Sequence, residues 1–245
     1  MIAARGLHRR YGTVLALQDL SLEVASGEVV ALIGANGAGK STALRLLAGL
    51  ERPDAGSVWL DGVEITRWPL HRRVRAGLGY LPQGASVLPR LTGAENLALA
   101  LQAAGHPAAE APARLAAAGL SALAARLAGT LSGGERRRLE ILRCLVLEPR
   151  VVLLDEPFAG VDPRHVAELR AAIRALAKGG RAVLLSDHAL RETLRACDRV
   201  AWIDSGVLQA TGTPAEILAH PAARARYLGG FFDVEPLAEP LQGGG

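Results

Sequence analysis

Hydrophobic positions in this chain follow two different periods, and the changes between them mark its elements. Residues 1–33 read as strands: an apolar stretch Val14-Leu15-Ala16-Leu17, apolar residues at every second position in Leu20-Ser21-Leu22-Glu23-Val24, and a turn at Ser26-Gly27. Val29-Val30-Ala31-Leu32-Ile33 has no polar position, and neither do Val151-Val152-Leu153-Leu154 and Ala182-Val183-Leu184-Leu185. Such runs fit strands of a parallel sheet covered on both faces. Residues 57–65 predict a hairpin around Asp61-Gly62. A short basic helix, His71 to Arg75, leads into a strand from Leu78 that ends in Pro82-Gln83.

Residues 92–148 change to an alanine- and leucine-rich helical spacing with no strand candidate, so they predict an inserted helical lobe. Thr92 with Glu95 and Ser132 with Glu135 have capping-box spacing, while Gly105, Pro107 and Pro112 break the run between them. A helix is expected over residues 163–178, strands over 199–203 and 207–211, and a capped helix from Thr213. Strands alternating with helices predict an α/β fold. The stretch from Gly229 onward, rich in Gly, Pro and Glu, predicts a loose surface extension.

Composition changes little in this picture. Half of the 245 residues are hydrophobic and the charges are mixed in sign, an ordinary globular balance. A net charge of +4 would permit a nucleic-acid or anionic-membrane partner, but the basic residues are spread along the chain, so no nucleic acid is expected. Cys144 and Cys197 have no partner at metal-ligand spacing and are expected to be buried thiols in a reducing compartment. The N-terminus has no signal-peptide apolar core, and no apolar run reaches the eighteen or so residues of a membrane helix. The expected location is cytoplasmic, with any membrane role supplied through partners.

Candidate chemistry lies where the apolar strands end. After Ile33 comes Gly34-Ala35-Asn36-Gly37-Ala38-Gly39-Lys40-Ser41-Thr42, a glycine loop that opens a helix. Glycines allow backbone N–H groups to curl around phosphate oxygens, and the helix N-terminus favours the anion. In this context Lys40 reaches the β- and γ-phosphates and Ser41 ligates Mg²⁺. Asp155 and Glu156 follow the second strand: Asp155 is placed to hold Mg²⁺, and Glu156 to polarise an attacking water. Ser186-Asp187-His188 ends the third, where His188 either contacts a γ-phosphate or is a bystander beside a capping Asp187. Gln83 ligates Mg²⁺ or a water, or bonds backbone. Tyr11 either stacks on an adenine ring or is a half-buried strand-end tyrosine. Gly133 and Gly134 sit in the first turn of a helix, where each costs roughly 1 kcal/mol relative to alanine, which suggests that something approaches that backbone closely.

Together these stretches resemble the nucleotide-binding subunit of ATP-binding cassette (ABC) transporters over residues 2 to about 228. Gly34 to Thr42 matches the Walker A loop, Gln83 the Q-loop and Leu131-Ser132-Gly133-Gly134-Glu135 the signature string. Asp155-Glu156 matches the end of Walker B, Asp162 the D-loop and His188 the switch histidine. The resemblance implies a P-loop ATPase with a RecA-like and antiparallel β core at about 1–83 and 149–228, a helical subdomain at about 84–148, and a tail at 229–245. It also implies ATP and Mg²⁺, with Ser41, Gln83 and Asp155 as metal ligands. Two copies would pack head to tail, so that Ser132, Gly133, Gly134 and Asp162 act in trans on ATP held by the other copy's Walker A loop. Permease subunits would dock near Ser86 to Leu91, on the inner face of the membrane.

Within the family, the segments 155–163 and 187–194 are similar to the group that contains lipopolysaccharide exporters and branched-chain amino-acid importers. Leu88-Pro89 departs from the aromatic and basic pair of the exporters. Lipopolysaccharide export is the first expectation and amino-acid import the second. A soluble relative acting on ribosomes or DNA is disfavoured, because the chain has no second cassette, coiled-coil insertion or cysteine zinc site. A nucleotide-binding module that does not hydrolyse is disfavoured by Glu156 and His188.

Overall fold

A computed structural model describes residues 1–229 of the chain. The expected loose extension therefore lies outside the described residues, apart from Gly229. The N-terminal strands β1 (Ile2–Tyr11) and β2 (Val14–Val24) join β4 (Ala55–Leu60) and β5 (Val63–Glu64) in an antiparallel sheet of order β2-β1-β4-β5. The β4–β5 turn uses positive φ at Asp61 (48°) and Gly62 (82°), the conformation in which a two-residue turn matches strand twist.

The second sheet has the order β10-β9-β3-β8-β7-β6. Its members are β3 (Val29–Ile33), β6 (Leu78–Leu81), β7 (Val151–Asp155), β8 (Ala182–Ser186), β9 (Arg199–Asp204) and β10 (Val207–Gly212). Every pairing is parallel except β10 with β9. The uninterrupted apolar runs are explained by two cores that share these strands. Val30, Leu32, Leu153 and Leu184 face α1 (Lys40–Ala48) and the antiparallel sheet. Val29, Ala31, Val152 and Val183 face α6 (Pro163–Lys178) and α7 (Leu190–Ala196) on the other side. Every residue of β3, β7 and β8 is buried.

The carboxyl ends of β3, β6, β7 and β8 lie along one rim, where parallel sheets bind ligands. Between β6 and β7 the chain builds a lobe of α3 (Gly93–Ala103), α4 (Ala111–Ala117), α5 (Gly133–Leu145) and short 3₁₀ turns around a separate core with Leu97, Leu101, Leu115 and Leu139. Both expected capping boxes are present, at Thr92/Glu95 and Ser132/Glu135. One expectation is corrected. Pro112 sits in the first turn of α4 and starts that helix, a position whose N–H would have no intrahelical partner anyway.

The helix α2 (Leu70–Arg75) is basic, as expected, but Arg73 is fully buried. Its guanidinium donates to the carbonyls of Leu46 (2.8 Å) and Leu47 (2.7 Å) in the last turn of α1, and to those of Thr66 (3.0 Å) and Trp68 (2.9 Å). A cation is thus fixed at the C-terminal end of the helix whose N-terminus opens on the rim, which complements the helix dipole. Gly49, at φ 79°, leaves the room it needs: a Cβ there would stand 2.5 Å from Arg73 Nε.

Candidate nucleotide site

The loop after β3 is held by close packing. Gly34 has φ 158°, and a Cβ on it would fall 2.2 Å from the Ile203 carbonyl; a Cβ on Gly39, at φ 108°, would fall 2.6 Å from that of Ala16. The glycines thus bring the loop down onto β9 and β2. α1 starts at Lys40 with no side-chain cap, so its first N–H groups stay available at the rim. Lys40 Nζ donates to the carbonyls of Gly34 (2.7 Å) and Ala35 (2.9 Å), and burial lowers its pKa against the pull of Glu156 and Asp155.

A cleft of about 420 Å³ opens above this loop. Asn36, Gly37, Gly39, Lys40, Ser41, Thr42, Gln83, Glu156 and His188 are among the residues that line it, so the rim gathers side chains from distant parts of the sequence. Asp155 lies below the surface, 2 % exposed, with Ser41 Oγ 3.3 Å from its Oδ1. Burial raises the Asp155 pKa, and the Ser41 hydrogen bond opposes the rise. Glu156 Oε1 accepts from Gln83 Nε2 at 2.8 Å and stands 2.7 Å from His188 Nε2. Neighbouring Asp187 is buried and accepts from the N–H groups of Phe158 (2.7 Å) and Ala189 (2.8 Å), so it shapes the loop that carries His188.

The donor set fits Mg²⁺. Among the described residues no group of three His, Cys, Asp or Glu side chains could hold a metal by itself. Ser41 and Asp155 offer hard oxygen donors beside a phosphate-type loop, and Gln83, whose Nε2 is given to Glu156, has its Oε1 to offer. Mg²⁺ commonly takes one or two protein oxygens and completes its shell with phosphate and water.

The glycines of α5 lie elsewhere. Ser132, Gly133 and Gly134 line a second cleft of about 560 Å³ with Glu135, Arg138, Gly160, Val161, Asp162 and His165. No residue is common to the two clefts. Inside this chain a Cβ on Gly133 or Gly134 would meet nothing closer than 3.7 Å and 3.4 Å respectively. Their own fold does not demand glycine there. Asp162 caps α6 through the Arg164 N–H (2.9 Å) and pairs with the Arg164 side chain, which pulls its pKa below the usual carboxylate range.

Tyr11 is not among the residues lining either cleft. Its hydroxyl bonds Glu51, and Arg9 stacks over its ring at 4.8 Å. Three cleft residues escape a motif reading: Val14, Ala16 and Arg45. Arg45 stands one helical turn after Ser41, and Val14 and Ala16 alternate on β2, so periodicity was the signal that could have found them. Arg137 is also missing from any motif reading. It is 5 % exposed and donates to the Asp155 and Glu156 carbonyls at 2.5 and 2.8 Å.

Residues 17–159 match the family described as ABC transporter. The chain is 42% identical over 238 residues to the lipopolysaccharide export system ATP-binding protein LptB of Acidithiobacillus ferridurans, covering 96% of this chain and 99% of that one. Against the protein of the same name from Escherichia coli K12 it is 42% identical over 233 residues, covering 93% and 97%. Among solved structures, a nucleotide-free ATP-binding cassette from an ABC transporter superposes with TM-score 0.83 at 26% identity, covering 93% and 98%. The ATP-binding subunit of another ABC transporter gives TM-score 0.81 at 30% identity, covering 95% and 98%. Glycine loop, buried aspartate, shared glutamate and these relatives lead to one assignment: the chain belongs to the ABC transporter family, with the fold of its ATP-binding cassettes.

Proposed function

We propose that this chain is the ATP-hydrolysing subunit of a lipopolysaccharide-export transporter, and that hydrolysis runs on Glu156. The observation that carries the chemistry is the Glu156 carboxylate, fixed by Gln83 and His188 at the mouth of the cleft above Lys40 and Ser41. In this reading the loop N–H groups and Lys40 hold the β- and γ-phosphates. Ser41, Asp155 and Gln83 would hold Mg²⁺, which would supply positive charge to offset that of the phosphates during transfer. Glu156 orients the attacking water and takes its proton. His188 keeps the carboxylate in place and can meet the γ-phosphate oxygens, while the Val14–Ala16 edge of β2, which lines the cleft, receives the base.

The cleft of Ser132, Gly133, Gly134 and Asp162 serves a second copy. It is separate from the Lys40 cleft, it presents the N-terminus of α5, and its glycines are not required by internal packing. Two copies packed head to tail would place it against the other copy's ATP. Closure then depends on the γ-phosphate, and loss of that group releases the pair. We assign the ATPase domain to residues 1–228, with residues 84–148 as its helical subdomain. No helix among the described residues is long and apolar enough to cross a membrane, so transport needs permease subunits. The groove holding Ser86, Leu88, Leu99 and Leu147 is their docking site in this reading, on the inner face of the cell membrane.

The export reading is tested with Glu156→Gln, MgATP and solubilised membranes of the native cell. Retention of two lipopolysaccharide-export permeases supports it. Retention of amino-acid permeases leaves the ATPase standing and overturns the substrate.

A further inference from the structure

Glu156 has a backbone φ of 53°, a left-handed conformation uncommon for a residue other than glycine, and it is followed by a proline, which narrows the backbone choices further. Such a geometry persists only where its surroundings over-determine it. Three groups hold its main chain: Ser186 at the N–H, and at the carbonyl both Arg137 and, at a longer 3.2 Å, the Ala159 N–H. The Glu156 N–H donates to the Ser186 carbonyl at 2.6 Å, tying it to β8. Its carbonyl accepts from Arg137 Nη2 at 2.8 Å, and the same nitrogen takes the Asp155 carbonyl at 2.5 Å.

Arg137 belongs to the helical lobe, in the second turn of α5. Its other terminal nitrogen donates to the Pro82 carbonyl (2.9 Å), one residue before Gln83, and to Glu140 Oε2 (3.1 Å). Glu140 is 4 % exposed, and its Oε1 accepts the Ser86 N–H at 2.6 Å. One buried guanidinium therefore joins the end of β6 to the end of β7, and its carboxylate partner holds the loop that leads to Leu88.

We infer that Arg137 is the positioning residue that keeps Glu156 in its left-handed conformation, and that the Arg137–Glu140 pair links the 82–87 loop to hydrolysis. A planar fork is needed, because the acceptors lie on two strand ends that one ammonium cannot span. Seating of α5 against β7 then sets whether the Glu156 carboxylate meets the water correctly. Small misplacements of a catalytic group cost rate steeply, by about 100-fold for 1 Å.

The inference rests on the role given to Glu156, and the test separates the two. Arg137→Met/Glu140→Gln removes both buried charges together and so avoids leaving one unpaired. Arg137→Lys is the conservative companion. In purified protein we expect the double variant to melt near the native temperature, with kcat down about 30-fold or more and KM for MgATP within about twofold. Arg137→Lys is expected to fall between the two. Added to Glu156→Gln, the double substitution is expected to lower turnover no further, because it acts through that side chain. A folded double variant with native kcat, or losses that multiply those of Glu156→Gln, would overturn the inference. Native turnover in Glu156→Gln alone would overturn the role of Glu156 instead.

Discussion

His188 Nε2 stands 2.7 Å from Glu156 Oε1, although the two residues leave the sheet from different strands, β8 and β7. Gln83, from β6, donates to the same oxygen at 2.8 Å. Three adjacent strands thus converge on one carboxylate oxygen. That arrangement holds one oxygen in place; in the proposed mechanism the other oxygen, Oε2, takes the proton of the attacking water.

His188→Ala should therefore lower ATP turnover by about 100-fold or more while leaving nucleotide affinity within a few-fold of native. Parallel measurement of kcat and of nucleotide binding by fluorescence checks this. An equal loss in both would place His188 in substrate binding alone.

The glycines divide into two kinds with opposite expected behaviour. Gly34→Ala drives a Cβ to 2.2 Å from a backbone carbonyl and should cost about 2 kcal/mol or more of stability, together with nucleotide binding. Gly134→Ala has room in this chain, with 3.4 Å to its nearest neighbour. It should keep stability within about 1 kcal/mol, or gain slightly because alanine favours a helix, and yet lose turnover and dimer closure. Thermal melts with ATPase assays on both variants decide the point; an active, closing Gly134→Ala would remove the second cleft from the mechanism.

The cap on α5 carries a pH signature. The Ser132 N–H and then Arg126 hold the Glu135 carboxyl down at about 2, from an ordinary 4.5. A depressed acid stabilises the fold above its ordinary pKa and loses that contribution as pH falls toward the folded value. Glu135 is near the surface, so solvent screening keeps the amount small, about 0.5 kcal/mol. Native protein should melt above Glu135→Gln at pH 7, and the difference should shrink between about pH 5 and 2. A gap that stays constant across that range would contradict the assignment.

Much of the site was legible because its signals are local. Apolar runs ending in Gly34, Asp155 and Ser186 placed three strand ends, and the parallel sheet brought those ends to one rim. Both capping boxes were readable from four-residue spacings. Arg73 and Arg137 were not. Each reads as one more charge in a basic run, and each is buried on carbonyls: those of Leu46 and Leu47 for Arg73, those of Pro82, Asp155 and Glu156 for Arg137. Backbone carbonyls carry no side-chain identity, so no residue pattern announces such partners. Tyr11 was open in the sequence, as a base platform or as a strand-end tyrosine; its hydroxyl is engaged with Glu51 and its ring with Arg9.

We propose that Glu156 drives hydrolysis in a composite site completed by a second copy. Glu156→Gln with MgATP, read by phosphate release and by size-exclusion chromatography, tests both halves in one preparation. The expected result is retained ATP binding, turnover reduced by about 100-fold or more, and a dimer that persists with ATP and falls apart with ADP. Native turnover would contradict the role of Glu156, and an ATP-loaded protein that stays monomeric would contradict the composite site.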